Sequence, residues 1–138
     1  MASHFTPGPT EVFEQALPGI QVGDVSDLMS RCTEDVVFEF PFAPAGRPRR
    51  VQGRDAVLEY LKPLSSRVRM QGLSRLEMHQ TADPDVAVIE FTANALVAGD
   101  GESLPISYVV VLTVRDGQIA RYRDYWNPLA LAAGDTGR

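Results

Sequence analysis

The chain has 138 residues, 44% apolar and 22% charged, which suits one domain with its own core and leaves no room for two ordinary ones. Thirteen Lys and Arg against 18 Asp and Glu give a net charge of −5, so the basic surplus that a nucleic-acid partner demands is missing. One cysteine excludes an intrachain disulfide, and two histidines are too few for a His-rich metal site, with no metal expected.

In chain order, residues 1–9 carry two prolines and no periodicity and read as a flexible arm, with neither the apolar core nor the basic lead of a signal segment. No apolar run approaches the roughly 18 residues of a membrane span, so a cytoplasmic protein without a membrane partner is expected. Thr10 is placed to cap a first helix with Glu11 and Glu14 in its first turn and Val12, Phe13, Ala16, Leu17 and Ile20 along one stripe. Pro18-Gly19 predicts a break near Leu17. Asp24 caps a second helix in which Val25, Leu28, Met29 and Cys32 share a buried face, making Cys32 a core residue rather than a reactive thiol.

Val36 to Phe42 is a β-branched and aromatic run ended by Pro41 and Pro44, predicting a short strand at a sheet edge. Residues 43–53 read as a loop whose Arg47, Arg49 and Arg50 are either solvated or the grip for an anionic substrate. Helical spacing returns from Arg54 to about Val68, through Val57, Leu58, Leu61 and Leu64, with Pro63 in the last turn. After Gly72 the period changes to two, and strands follow up to the turn Asp83-Pro84-Asp85 and over 86–97, 106–115 and 118–126. Ala98-Gly99-Asp100-Gly101 and Arg115-Asp116-Gly117 are hairpin signals. The order predicts an α+β fold, a curved, mostly antiparallel sheet wrapped around three N-terminal helices, enclosing an apolar cavity suited to a small molecule.

The last strand is the informative one. Arg121 and Arg123 share one side, which leaves Tyr122, Asp124 and Trp126 facing inward. An inward carboxyl between aromatics either neutralises, with a raised pKa suited to proton transfer, or serves as a structural acceptor. Tyr108 shares its strand's inward parity with Val110, Leu112 and Val114, and is either a second cavity hydroxyl or plain core. Phe38, Phe40, Phe91, Val110, Tyr122 and Trp126 are the expected walls. Glu90 falls on the polar side of its strand and is a second acid only if that side is covered; His79 reads as a surface residue.

Val22-Gly23-Asp24, the run Thr33-Glu34-Asp35-Val36-Val37-Phe38-Glu39 before Pro41, Gly53-Arg54, Arg115-Asp116-Gly117-Gln118-Ile119 and Tyr122-Arg123-Asp124-Tyr125-Trp126-Asn127-Pro128 together resemble the SnoaL-like branch of the NTF2-like superfamily. The resemblance spans about residues 10–131, leaving 132–138 as a tail, and implies the cone-like fold of that superfamily. It also implies a homodimer through the outer sheet face, with which Val109 and Val111 agree. Steroid isomerases of the superfamily need a tyrosine and two aspartates where this chain has Ala16, Phe40 and Val110, so that chemistry does not carry over. The last strand is closer to the phenazine-biosynthesis A/B type, which implies an acid role for Asp124. Polyketide cyclases of the superfamily also use an acid on the last strand, helped by a histidine on the strand before it, where this chain has none. The resemblance thus implies a cofactor-independent cyclase, isomerase or dehydratase acting on a hydrophobic carbonyl compound, with Asp124 and Tyr108 as catalytic groups. The alternative is a non-catalytic binding or accessory protein.

Overall fold

The structure, a computed structural model, describes residues 6–97 and 103–129. In chain order the elements are α1 (Pro9–Val22), α2 (Val25–Ser30), β1 (Cys32–Glu39), β2 (Arg50–Gln52), α3 (Arg54–Arg67), β3 (Val68–Gln80), β4 (Val86–Val97), β5 (Ser103–Arg115) and β6 (Gln118–Trp126). The strands make one mixed sheet in the order β2-β1-β6-β5-β4-β3. Every pairing is antiparallel except β1 with β6. Helices α1 and α3 pack on the sheet face that carries Phe38, Ile89, Phe91, Val110, Leu112 and Tyr122, and α2 packs against both of them, the α+β arrangement that the sequence predicts.

Several boundaries differ from expectation for local reasons. Gly8, not Thr10, caps α1: Pro9 takes the first helical position, where a missing N–H is harmless, and the Glu11 carboxylate accepts from the Gly8 N–H at 2.9 Å. The helix also runs unbroken through Pro18. Pro18 and Glu14, whose carbonyl loses its donor, are both exposed, so the missing bond falls on the solvent side of the helix, where it costs least. Asp24 caps α2 as expected, its Oδ1 accepting from the Asp27 N–H at 3.1 Å. Cys32 is not helical; it opens β1, fully buried, and pairs with Ile119 of β6.

The strand expected over Val36 to Phe42 is therefore displaced toward the N-terminus, and it is interior rather than an edge. Parallel pairing with β6 supplies one neighbour, and β2, hidden inside the arginine-rich loop, supplies the other through Phe38 opposite Val51 and Glu39 opposite Arg50. β3 begins at Val68, ahead of Gly72, because that glycine, at φ 97°, sits in a bulge and not at the strand's start. β5 starts at Ser103 and accommodates Pro105. Asp116 (φ 53°) and Gly117 (φ 78°) form the predicted tight turn into β6. The expected hairpin turn at 98–101, most of the N-terminal arm including His4, and the tail at 132–138 lie outside the described residues.

Candidate active site

A cavity of about 490 Å³ lies between the helices and the inner sheet face. Strand parity builds it. Across β6, β5 and β4 the register sets Tyr122 beside Leu112 and Ala87, Asp124 beside Val110 and Ile89, and Trp126 beside Tyr108 and Phe91. Phe38 of β1 pairs with Tyr122 from the other side. The aromatic side chains fix one another: Phe38 stacks on Tyr122 with centroids 4.6 Å apart and Phe91 on Tyr108 at 4.8 Å, while Phe40 meets Tyr60 of α3 at 5.6 Å. Phe38, Phe40, Phe91, Tyr108, Tyr122, Asp124 and Trp126 all line the cavity.

Val110 does not. Expected as a wall, it is fully buried in the core beside Asp124 and is absent from the lining. Tyr60, Leu61 and Leu64 of α3, Leu28 of α2 and Arg47 complete the enclosure. Tyr60 escaped the sequence reading, although its place one turn after Val57 and next to Leu61 on a helical stripe was a usable signal. The positions at which steroid isomerases carry acids and a phenol are apolar here, and Ala16, Phe40 and Val110 are all buried.

Asp124 is the chemically distinctive group. Its Oδ1 is buried and has no hydrogen-bond partner among the described residues. Desolvation penalises the carboxylate and pushes the pKa up from 3.8 to about 7. Burial raises the Tyr108 and Tyr122 phenols as well, and the nearby Asp124 charge raises both further, so each stays a protonated donor at neutral pH. A carboxyl able to give or take a proton thus shares a largely apolar cavity with two phenolic donors.

The remaining candidates face elsewhere. Cys32 is held by burial as a thiol, its pKa pushed up to about 12, and its Sγ donates to the Leu28 carbonyl at 3.3 Å. Glu90 and His79 lie on the outer face, 2.7 Å apart through His79 Nε2, so Glu90 is not a second acid for the cavity. With Glu77 they place three metal-ligand atoms within 4.8 Å of one another. Arg75 already bridges Glu77 at 2.8 Å and Glu90 at 3.4 Å, supplying the positive charge that a cation would bring. A second, open depression of about 590 Å³ at the far end of β1 and β6 is lined by charged and polar groups, two of which, Arg115 and Asp35, neutralise each other at 2.8 Å.

Over residues 13–122 the sequence matches the SnoaL-like domain family. The chain belongs to that family. It is 33% identical over 119 residues to an uncharacterised PhzA/B-like protein of Pseudomonas aeruginosa, PA3332, covering 86% of this chain and 84% of that one. A Bacillus subtilis protein provisionally named an isomerase shares 31% identity and superposes with a TM-score of 0.86 over 94% of both chains. A protein of Xanthomonas campestris pv. campestris, provisionally named a polyketide cyclase, has a TM-score of 0.75 at 21% identity, covering 90% of this chain and 93% of that one, and shows the shared fold alone. Among the described residues no helix is long and apolar enough to cross a membrane.

Proposed function

We propose that this SnoaL-like protein is a cofactor-independent acid/base enzyme acting on a hydrophobic, carbonyl-bearing small molecule, in an isomerisation, cyclisation or dehydration of the secondary-metabolite type. The observation that carries this reading is the unpartnered Asp124 carboxyl facing an aromatic cavity. The names of its relatives, isomerase and PhzA/B-like, agree with it. In its base form Asp124 takes a proton from the carbon next to the substrate carbonyl. Tyr108 or Tyr122 donates a hydrogen bond to the oxygen on which the negative charge develops. Asp124, now neutral, returns the proton to another carbon in isomerisation or to a departing hydroxyl in dehydration. A group poised near neutral pH serves both halves of such a cycle, and general acid–base catalysis of this kind contributes about 10²- to 10⁴-fold. Phe38, Phe40, Phe91, Tyr122 and Trp126 hold the substrate and keep water out.

The test begins by identifying the molecule that co-purifies in the cavity by mass spectrometry and assaying it with Asp124→Asn. A fall in kcat of about 100-fold or more with affinity retained supports proton transfer. Unchanged turnover removes Asp124 from the mechanism, and no turnover by either protein, with tight binding by both, favours the accessory-protein reading. Because the base form acts first, kcat/KM rises with pH through about 7.

The outer face suits a second copy of the chain. Val109, 37% exposed, and Val111 sit between two ion-paired flanks, Arg121 and Arg123 with Glu39 on one side and Arg75 with Glu77 and Glu90 on the other.

A further inference from the structure

Of the three arginines in the loop after β1, the fold separates one from the others. Arg50 lies in β2 opposite Glu39, whose charge it offsets on the outer face. Arg49 is tied through its backbone, its carbonyl accepting from the Phe40 N–H at 2.8 Å, and it is not part of the cavity lining. Arg47 does line the cavity, as its only basic residue among the described ones. Its guanidinium makes no ion pair or hydrogen bond with any described residue. The loop that presents it is not loosely placed: the Ala43 N–H donates to the Phe40 carbonyl at 3.0 Å and the Arg47 N–H to the Pro44 carbonyl at 3.1 Å. Parallel pairing of β1 with β6 aligns Glu39 with Arg123, so the loop that follows β1 stands at the end of the sheet where Asp124, Trp126 and Pro128 open onto the cavity.

Among the lining residues, the charged groups other than Asp124 are Arg47 and Asp24, and the Asp24 carboxylate already accepts from the Asp27 N–H. An apolar cavity with one uncommitted guanidinium at its solvent-exposed rim selects for a particular kind of molecule. We infer that the ligand is an amphipathic anion, a hydrophobic body bearing a carboxylate, with Arg47 binding the carboxylate while the reacting end reaches Asp124. This assignment rests on the proposed cavity function and adds the charge of its substrate. A neutral ligand would leave the guanidinium as free as it stands, whereas a carboxylate gains a charge-assisted, two-pronged contact without disturbing any existing pair.

The test uses 4-cyclohexylbutanoate and its primary amide, matched in shape and different in charge, at pH 6. Binding is followed by calorimetry and by the fluorescence of Trp126, the single tryptophan of the chain and a lining residue. The carboxylate binds about fivefold more tightly than the amide, as expected for one ion pair at a wet rim, and less so as salt is raised. Arg47→Gln removes this preference and leaves amide affinity unchanged, whereas Arg49→Gln and Asp124→Asn keep it. Equal affinities in the unaltered protein, or a preference that survives Arg47→Gln, overturn the assignment and leave the cavity function standing. A preference that disappears with Asp124→Asn instead places the carboxylate at the wrong end and also overturns it. If neither compound gives heat or perturbs Trp126, the cavity function fails, and the assignment with it.

Discussion

Between about pH 4 and pH 7 the Asp124 carboxyl keeps its proton in the folded chain and has lost it in the unfolded one. Its contribution to stability is therefore constant below pH 4, falls as the pH rises toward about 7 and is level above that. The gap between 3.8 and about 7 corresponds to roughly 4 kcal/mol. Asp124→Asn, which cannot ionise, removes this slope, so urea midpoints of variant and parent converge at low pH and separate in the variant's favour by pH 8. Coinciding curves at every pH would mean that Asp124 has an ordinary pKa. Glu39 behaves in the opposite sense: Arg121, 2.7 Å from its carboxylate, lowers its pKa, and its contribution is lost as the medium becomes acid. Tyr108→Phe keeps the ring stacked on Phe91 and deletes only the donor. It is expected to lower kcat by about 10-fold or more, with little effect on the urea midpoint.

Individual elements show how neighbours override local propensity. Pro18 stands inside α1 where it cannot donate to Glu14, and Pro18→Ala restores one helical bond at an exposed position. It should raise stability by about 1–3 kcal/mol in urea unfolding. Gly117 is the converse case. Its φ of 78° belongs to the turn between β5 and β6, and an added Cβ would meet Pro7 Cδ at 3.2 Å. Gly117→Ala should cost about 1–2 kcal/mol. The sequence reading found β4 and β6 to the residue, because uninterrupted alternation marks them. It displaced β1 and missed β2, whose three residues have no periodicity and become a strand only by pairing with Val37, Phe38 and Glu39.

For the molecule as a whole, the sheet has two unlike faces. The inner one is closed by helices, and the outer one sets Val109 and Val111 among charged flanks. A dimer through that outer face is expected to sediment as twice the 15.1 kDa chain mass, and Val109→Lys to shift it toward monomer without altering the cavity. A monomer at micromolar concentration in the unaltered protein would refute the dimer.

The sequence alone determined the fold class and the inward parity of Tyr122, Asp124 and Trp126, because these follow from patterns that each element carries within itself, whereas Cys32 is buried as expected but through β1 and not through the helical face that predicted it. Only the tertiary structure decided that Val110 leaves the cavity wall, that Tyr60 joins it, and that Arg47 rather than Arg49 or Arg50 reaches the rim, while Glu90 stays on the polar side where strand parity puts it. Those outcomes depend on which strand lies beside which, above all on β1 running parallel to β6, a pairing between segments about 80 residues apart that no local pattern encodes.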